Sequence, residues 1–256
     1  MSSYLNPVIQ NADRFIKNTV SELPVIPLVP DNDLKKYFLN NIDGSIHKWH
    51  HYFDIYEHHF ARFRGKSPVV MEIGVDRGGS LKMWKEYFGP GTKIIGVDIE
   101  PASVQYANES ENIFVEIADQ SDAAAMRALM NKYPNIDVFI DDGGHTTRQQ
   151  IITFLECYDR VAADGVYLVE DLHTNYWDDF CDSRETFIEL AKRHIDSLNA
   201  CWIDGVDYDP VRSEVLAVNK TKDIPLFKAM TQSISFYDSV IVFEKRRIAA
   251  PYDDRR

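Results

Sequence analysis

The chain has 256 residues, of which 45% are hydrophobic and 12% aromatic, a composition typical of a globular protein with a sizeable core. Its 40 acidic residues outnumber its 28 lysines and arginines, which gives a formal charge of −12. This acidic balance argues against nucleic acid or an anionic membrane surface as the main partner, because both bind basic surfaces.

Features that direct or crosslink secreted proteins are not evident. The first residues, MSSYLNPVIQ, lack the basic and apolar regions of a signal peptide, and no apolar run approaches the ~18–20 residues that span a bilayer. The three cysteines form no CxxC pair, so the sequence predicts neither a disulfide framework nor a zinc motif. We therefore expect a cytoplasmic protein in a reducing compartment.

The N-terminal quarter has a helical pattern. We predict a short helix near 8–20 and further helices over 31–64, a segment rich in aromatic residues and histidine. The histidines of 47–59 could hold zinc, but their spacing fits better an aromatic helix face packed over a pocket. His51 and Tyr52 either approach a cofactor or substrate there or pack in the core.

From residue 68 onward, short apolar runs alternate with helical stretches. This alternation predicts βαβ units and a parallel sheet covered on both faces, that is, a doubly wound α/β domain. The predicted strands are 69–75, 93–99, 113–118, 138–140 and 166–169, and the predicted helices are 79–88, 101–108, 122–132 and 147–161. Two further strands are predicted at 212–219 and 239–245, the last of them antiparallel.

The first predicted strand runs into a glycine-rich turn, Glu72-Ile-Gly74-Val-Asp76-Arg-Gly78-Gly79-Ser80, and a helix follows. Glycines at such a turn let the backbone approach a ligand at the helix N-terminus, although a tight turn alone would also need them. The spacing is not G-x-G-x-x-G, which counts against a dinucleotide site.

Acidic and amide side chains end the next two strands. Asp98 is placed to accept hydrogen bonds from a ribose diol, and Asp119 with Gln120 could read an adenine. The acidity of these strand ends favours a ligand with positive charge. S-adenosylmethionine (SAM), which carries a sulfonium and an amino group, fits this requirement better than NAD.

A second group of acids follows the fourth and fifth strands. The fourth ends in Asp141-Asp142-Gly-Gly-His145 and the fifth in Glu170-Asp171-Leu-His173, one βαβ crossover later. Because neighbouring parallel strands end at the same edge, Asp142, Glu170 and Asp171 should converge. Clustered carboxylates need a proton or cation between them, and oxygen ligands favour Mg²⁺, with Ca²⁺ or Mn²⁺ as alternatives. Each acid alone could instead cap a helix.

Two histidines accompany these acids. His145 lies on the loop that carries Asp142, and an imidazole beside a metal-bound hydroxyl is suited to act as a general base. His173 could be a second base, a substrate contact or a hydrogen-bonded structural residue.

Together these motifs resemble the metal-dependent class I SAM methyltransferases that act in natural-product tailoring. The macrocin and mycinamicin sugar O-methyltransferases are the nearest in pattern, with the cephalosporin hydroxylase-like proteins more distant. The resemblance covers roughly residues 40–245. It implies a Rossmann-like seven-stranded sheet, an oligomer, Mg²⁺ held by Asp142, Glu170 and Asp171, and His145 as the base.

The expected function is therefore that of a SAM- and Mg²⁺-dependent O-methyltransferase. We expect residues 1–64 to form a helical lid or oligomerisation segment and 65–256 the SAM-binding domain. The residues expected to hold SAM are Glu72, Gly74, Ser80, Asp98, Asp119, Gln120 and Tyr52, with Asp141 near the SAM amino group.

The expected acceptor is a small molecule with a hydroxyl group, most simply a sugar on a natural product, and the expected assembly is a dimer or tetramer. Two alternatives stay open. One is an O-methyltransferase domain that acts on a carrier-bound polyketide-type acceptor. The other is an NAD-dependent oxidoreductase, against which the missing G-x-G-x-x-G pattern counts.

Overall fold

The fold is built on a seven-stranded sheet. The computed structural model describes residues 32–43, 45–200, 206–209, 214–218 and 225–248. The strands of the sheet are β1 (Val69–Ile73), β2 (Lys93–Asp98), β3 (Ile113–Ile117), β4 (Ile136–Asp141), β5 (Val161–Val169), β8 (Thr231–Phe236) and β9 (Ile241–Lys245). Across the sheet they lie in the order β3-β2-β1-β4-β5-β9-β8.

Two kinds of pairing occur in this sheet. Strands β1 to β5 are mutually parallel, whereas β9 pairs antiparallel with β5, and β8 pairs antiparallel with β9 at the edge. The mostly parallel, doubly wound sheet and the antiparallel final strand are thereby confirmed. The strand predicted at 212–219 lies elsewhere: β7 (Glu214–Val218) pairs with β6 (Val206–Asp209) in a separate two-stranded sheet.

Helices cover both faces of the large sheet, because its central strands are apolar on both sides. The helices are α1 (Asp33–Asn40), α2 (Tyr52–Phe60), α3 (Gly79–Phe88), α4 (Ala123–Lys132), α5 (Thr147–Cys157), α6 (Phe187–Leu198) and α7 (Leu226–Met230). One core contains side chains from α1, α2 and α3, and the other contains side chains from α4, α5 and α6.

Four of the described elements were not predicted, namely α6, α7, β6 and β8. Helix α6 lies in an acidic part of the chain, where its apolar side chains Phe187, Leu190 and Ala191 pack into the second core. Strand β8, Thr-Gln-Ser-Ile-Ser-Phe, is largely polar because it forms the sheet edge. In both cases the apolar signal is diluted by residues that face solvent.

Helix α2 accounts for the aromatic, histidine-rich segment. Tyr52, Phe53, Tyr56 and Phe60 are at most 1% exposed, and rings from this helix pack against Trp84 of α3. Of the two alternatives for this segment, packing in the core is therefore confirmed for its apolar face. The domain division at residue 64 stays a prediction, and the helix expected near 8–20 lies outside the described residues. In the described part of the chain, every helix is too short or too polar to cross a bilayer.

Candidate active site

A cavity of about 480 Å³ opens at the carboxyl ends of the parallel strands. It lies where the strand order reverses beside β1, the place where doubly wound sheets bind ligands. Five of the residues predicted to hold a cofactor line this cavity: Gly74, Ser80, Asp98, Asp119 and Gln120.

Two glycines allow the strand ends to approach one another. Gly74 has φ +93°, and a Cβ there would collide with the carbonyl oxygen of Asp142. A Cβ on Gly143 would collide with the Gln120 amide. The ends of β1 and β4 are joined by a hydrogen bond in which the Asp142 N–H donates to the Ile73 carbonyl at 3.0 Å. The absence of a side chain at these glycines therefore lets the loop after β4 pack closely against the turn after β1 and against Gln120.

Asp98 organises the glycine-rich turn. Its Oδ2 accepts hydrogen bonds from the backbone N–H groups of Val75 at 2.8 Å and Asp76 at 3.1 Å, and its Oδ1 accepts from the Glu100 N–H at 2.9 Å. Each carboxylate oxygen has further acceptor capacity. Asp98 therefore shapes the cavity wall and can still accept from a diol, beside the exposed Glu100, which also lines the cavity.

Gln120 connects the floor of the cavity to the loop after β4. Its amide nitrogen donates to Asp141 Oδ1 at 2.9 Å, and its amide oxygen accepts from the Gly144 N–H at 2.7 Å. Asp141 is 1% exposed and lies behind the cavity rather than in its lining, because its side chain points to Gln120. Burial raises the pKa of Asp141 to about 7. A direct contact between Asp141 and the SAM amino group is not favoured by this placement.

Glu72, like Asp141, lies outside the lining of the cavity. It is fully buried and accepts hydrogen bonds from the Ser80 hydroxyl at 2.6 Å and from the Trp84 indole at 3.0 Å. Burial raises its pKa to about 7. Ser80 reaches the cavity and Glu72 does not, so Glu72 positions Ser80 and the first turn of α3.

At one end of the cavity, two acids and a histidine converge. One ligand atom from each of Asp142, His145 and Asp171 lies within 4.8 Å of the others, a spacing that could hold a metal ion. His145 Nε2 is 3.9 Å from Asp142 Oδ1 and 3.5 Å from Asp171 Oδ2. The sequence predicted the two aspartates as ligands and the histidine as a base beside them.

Glu170, the third predicted ligand, bonds to other partners. It is 1% exposed, accepts from the Tyr56 hydroxyl at 2.7 Å and pairs with the Lys48 ammonium at 2.9 Å. Lys48 also contacts Asp142 Oδ2 directly and lies 3.8 Å from Glu72. The cation that separates Asp142 from Glu170 in this structure is thus an ammonium group.

Lys48 is a charged residue at the centre of this cluster. Burial would lower the pKa of its ammonium, but Asp142, Glu170 and Glu72 outweigh that effect and raise the pKa well above its usual value. For Glu170, burial and the neighbouring Asp142 raise the pKa against the opposing effect of Lys48. One ammonium therefore faces more carboxylates than it can neutralise.

Two tyrosines of α2 orient the acids. The Tyr52 hydroxyl donates to Asp171 Oδ1 at 2.6 Å, as the Tyr56 hydroxyl does to Glu170. Tyr52 is 1% exposed and does not line the cavity, so the predicted contact with SAM is replaced by a contact with Asp171. Lys48 and Tyr56 were not predicted as site residues. For Tyr56 the available signal was a hydroxyl group within the aromatic face of α2, whereas Lys48 precedes this helix.

Two site residues adopt left-handed backbone conformations. His145 has φ +60° and Asp171 has φ +53°, and the Thr174 hydroxyl donates to the His145 carbonyl at 2.9 Å. Non-glycine residues in this region are uncommon and cluster at functional sites. His173, by contrast, hydrogen-bonds Ser239 and contacts the Trp49 and Trp177 rings.

The sheet, its strand order and the position of the cavity define the Rossmann-like methyltransferase fold. The chain is similar over this fold to the MycE methyltransferase of the mycinamycin biosynthetic pathway, solved in complex with Mg and SAH. The TM-score is 0.66 at 26% identity, over 96% of this chain and 60% of MycE.

Among curated proteins, the homologues are sugar O-methyltransferases of antibiotic pathways. A tetracenomycin-C rhamnosyl 2'-O-methyltransferase from Streptomyces olivaceus is 39% identical over 59% of this chain and 43% of its own length. Demethylmacrocin O-methyltransferase from Streptomyces fradiae is 34% identical over 66% of this chain and 45% of its own length. Mycinamicin VI 2''-O-methyltransferase from Micromonospora griseorubida is 33% identical over 56% and 38%.

These matches cover part of each relative. The chain spans less than half the length of the curated relatives it matches. No protein-family model matches the chain. The resemblance to the macrocin and mycinamicin O-methyltransferases is confirmed by the homologues.

Proposed function

We propose that this protein is a SAM- and metal-dependent O-methyltransferase that methylates a hydroxyl group of a sugar on a natural product. The observation that carries the proposal is the position of Asp142, His145 and Asp171 at one end of the switch-point cavity. The relatives named for a rhamnosyl tetracenomycin and for demethylmacrocin support the same activity and acceptor class.

The cofactor would occupy the part of the cavity between the glycine-rich turn and Asp119. Gly74 lets the backbone approach the ligand, Ser80 stands at the helix N-terminus, and Asp98 with Glu100 offers carboxylates on the side of β2. Gln120 supports the loop beneath. Because the wall is acidic, it suits the positive charge of SAM.

The residues at the other end fit a divalent metal ion. Asp142 and Asp171 supply hard oxygen donors, and Glu170 directly precedes Asp171 at the end of β5. The cluster has more carboxylates than the single Lys48 ammonium can balance. Bound there, Mg²⁺ would act as a Lewis acid that lowers the pKa of an acceptor hydroxyl.

His145 is the residue we propose as general base. Its Nδ1 is buried without a hydrogen-bond partner, and its Nε2 faces Asp142 and Asp171. Asp171, which is held by the Tyr52 hydroxyl, lies 3.5 Å from the same Nε2 atom. Acceptance of the hydroxyl proton by His145 would leave an oxygen nucleophile for in-line attack on the SAM methyl group.

An aromatic surface borders the metal end of the site and provides a place for the acceptor. The rings of Trp49 and Trp177 both contact His173 and are about half exposed, at 49% and 51%. His173 Nδ1 is 3.9 Å from Asp171. Sugar rings and hydrophobic aglycones both pack on such aromatic faces.

Several finer expectations belong to this proposal. The acceptor is a small molecule rather than nucleic acid or a membrane surface, in keeping with the charge of −12. The protein acts in the cytoplasm as a homo-oligomer. The MycE complex with Mg, SAH and mycinamycin VI supports the combination of metal, cofactor and glycosylated acceptor.

Methyl transfer from labelled SAM to a panel of glycosylated macrolides and polyketides tests the activity. We expect transfer by the wild type, inhibition by EDTA with recovery on Mg²⁺ addition, and losses of about 10²–10⁴-fold for His145→Ala because a general base contributes that much. Asp142→Asn should be inactive, and added Mg²⁺ should not restore methyl transfer.

Glu189→Gln serves as the matched control, since Glu189 is an exposed acid that pairs with Lys192 on α6. Its activity should equal that of the wild type. Full activity in both site variants, insensitive to EDTA, would refute the proposed mechanism.

A further inference from the structure

Lys48 occupies the position that a cation must take between the acids of the site. Its side chain is 3% exposed, and its ammonium contacts Asp142 directly, Glu170 at 2.9 Å and Glu72 at 3.8 Å. Asp142 and Glu170 are two of the three residues that the sequence predicts as metal ligands. Lys48 therefore pairs with two of the carboxylates that the metal would need.

The two carboxylate oxygens of Asp142 face different neighbours. Oδ2 bonds to Lys48, and Oδ1 faces His145 and the cluster that could hold the metal. A divalent ion bound to Asp142 would thus lie close to a buried ammonium, and like charges at short range in a buried site repel strongly. Both oxygens of Glu170 already have protein partners, since Oε1 accepts from the Tyr56 hydroxyl and Oε2 from the Lys48 ammonium.

We propose that Lys48 is a resident counter-cation of this site, which organises the acids before metal loading and competes with the metal for Asp142 and Glu170. The inference rests on the metal site of the proposed function. Lys48 is a positioning residue in this scheme, since it acts through the metal ligands and not on the reacting atoms.

Metal loading should also move the segment that carries Lys48. Ser45, Ile46 and His47 line the cofactor cavity together with Lys48, and Ser45 packs so closely on α3 that a Cβ on Gly79 would collide with it. Displacement of the ammonium therefore shifts a wall of the cofactor cavity. Metal binding should therefore change the affinity for SAM, and SAM binding should change the affinity for the metal by the same factor.

Direct binding of Mn²⁺, followed by its paramagnetic resonance signal, tests the competition. We expect Lys48→Met to bind Mn²⁺ with a Kd at least tenfold lower than the wild type, and Lys48→Arg, which keeps the charge, to remain near the wild type. Lys82→Met removes a charge from an exposed position on α3 and should leave the Kd unchanged. Circular dichroism checks that each variant is folded.

A second measurement uses the wild-type chain and does not depend on the folding of Lys48→Met. Trp49 follows Lys48 directly, so Mg²⁺ should change the tryptophan emission of the wild type, and Trp49→Phe should abolish most of that change. An unchanged emission under saturating Mg²⁺ would overturn the proposed displacement, and an equal or higher Kd for Lys48→Met would overturn the competition.

The outcomes separate this inference from the proposed function. Mg²⁺-dependent methyl transfer by the wild type, together with an equal Mn²⁺ Kd in Lys48→Met, leaves the function standing and removes the role of Lys48. Failure of the wild type to bind Mn²⁺ at millimolar concentration would remove the metal site itself, and the role of Lys48 with it.

Discussion

At the scale of single residues, the site depends on backbone conformations that most residues avoid. Gly74, His145 and Asp171 all have positive φ, and all three lie at strand ends that border the cavity. Such conformations cost of order 1–3 kcal/mol each in non-glycine residues. The hydrogen bond from Thr174 to the His145 carbonyl is one contact that holds this geometry in place.

Replacement of Gly74 by alanine tests how closely the strand ends must approach. Gly74 and Gly89 both have positive φ, but a Cβ at position 74 meets Asp142, whereas one at position 89 meets no atom within 4 Å. We expect Gly74→Ala to lower the free energy of unfolding by at least ~1 kcal/mol more than Gly89→Ala, because only the former adds overpacking to backbone strain. Urea denaturation measures both values, and equal losses would show that the collision is relieved without cost.

Much of the site could be predicted at this scale, but not all of it. Asp142, His145 and Asp171 follow strand ends that the topology must bring together, so local sequence locates them. Lys48 lies 94 residues before Asp142 and 122 before Glu170. No local pattern predicts that pairing, since it depends on how the segment before α2 crosses the sheet edge. The burial of Glu72 and Asp141 behind the cavity was not predicted, whereas core packing of Tyr52 was one of the two alternatives.

At the scale of elements, α2 connects the core to the site. Its apolar rings pack with α3, while the Tyr52 and Tyr56 hydroxyls reach Asp171 and Glu170. The far end of α2 is attached to β9, because His59 Nδ1 bonds Glu244 at 2.6 Å and Arg62 bonds the same carboxylate at 2.9 Å. Movement of α2 would therefore displace the hydroxyl groups that hydrogen-bond the acids at the site.

The attachment of α2 to β9 should weaken in acid. Burial acts to raise the pKa of Glu244, but hydrogen bonds from His59 and Arg62 outweigh it and hold the pKa below its usual value. A carboxyl group with a lowered folded pKa stabilises the protein above its unfolded pKa, and this stabilisation is lost as the pH falls through the folded pKa. We expect Glu244→Gln to cost ~1–3 kcal/mol at pH 7, with the difference from wild type shrinking below about pH 4.5.

Equilibrium unfolding in denaturant at pH 7 and in mild acid measures this difference. The exposed Glu189, paired with Lys192 at the surface, provides a control, and Glu189→Gln should change stability by less than ~0.5 kcal/mol at either pH. A loss in Glu244→Gln that is the same at both pH values would contradict the ionic attachment.

Elements were predicted best where apolar runs are bounded by glycines or by polar residues. The boundaries of α3 and the positions of β1, β2 and β3 follow from apolar runs and punctuating glycines. Prediction failed for α6 and β8, which each expose one side, and it did not include α7 or β6, the partner of the strand predicted at 212–219.

At the scale of the whole molecule, the acidic surface and the switch-point cavity define what the protein can bind. The large sheet supplies a ligand cleft at its carboxyl edge, and the acids along that edge select for positive charge. The proposed preference for a sulfonium cofactor over a dinucleotide therefore depends on the entire strand edge.

Ligand-induced stabilisation distinguishes the two cofactors. At a hundred times its Kd, S-adenosylhomocysteine should raise the free energy of unfolding by about 2.7 kcal/mol, because it binds the folded state alone. We expect NAD at the same concentration to cause no change. Thermal and denaturant unfolding measure both, and stabilisation by NAD without stabilisation by S-adenosylhomocysteine would favour the oxidoreductase alternative.

The groups that orient or balance the acids come from upstream of the first strand. Lys48, Tyr52 and Tyr56 all precede β1, which begins at Val69. In a chimera that joins this sheet to another protein's N-terminal part, the crossover must therefore fall before Ser45. A junction placed at the start of the sheet would transfer the cofactor cleft but leave Asp171, Glu170 and Asp142 without the side chains that hold them.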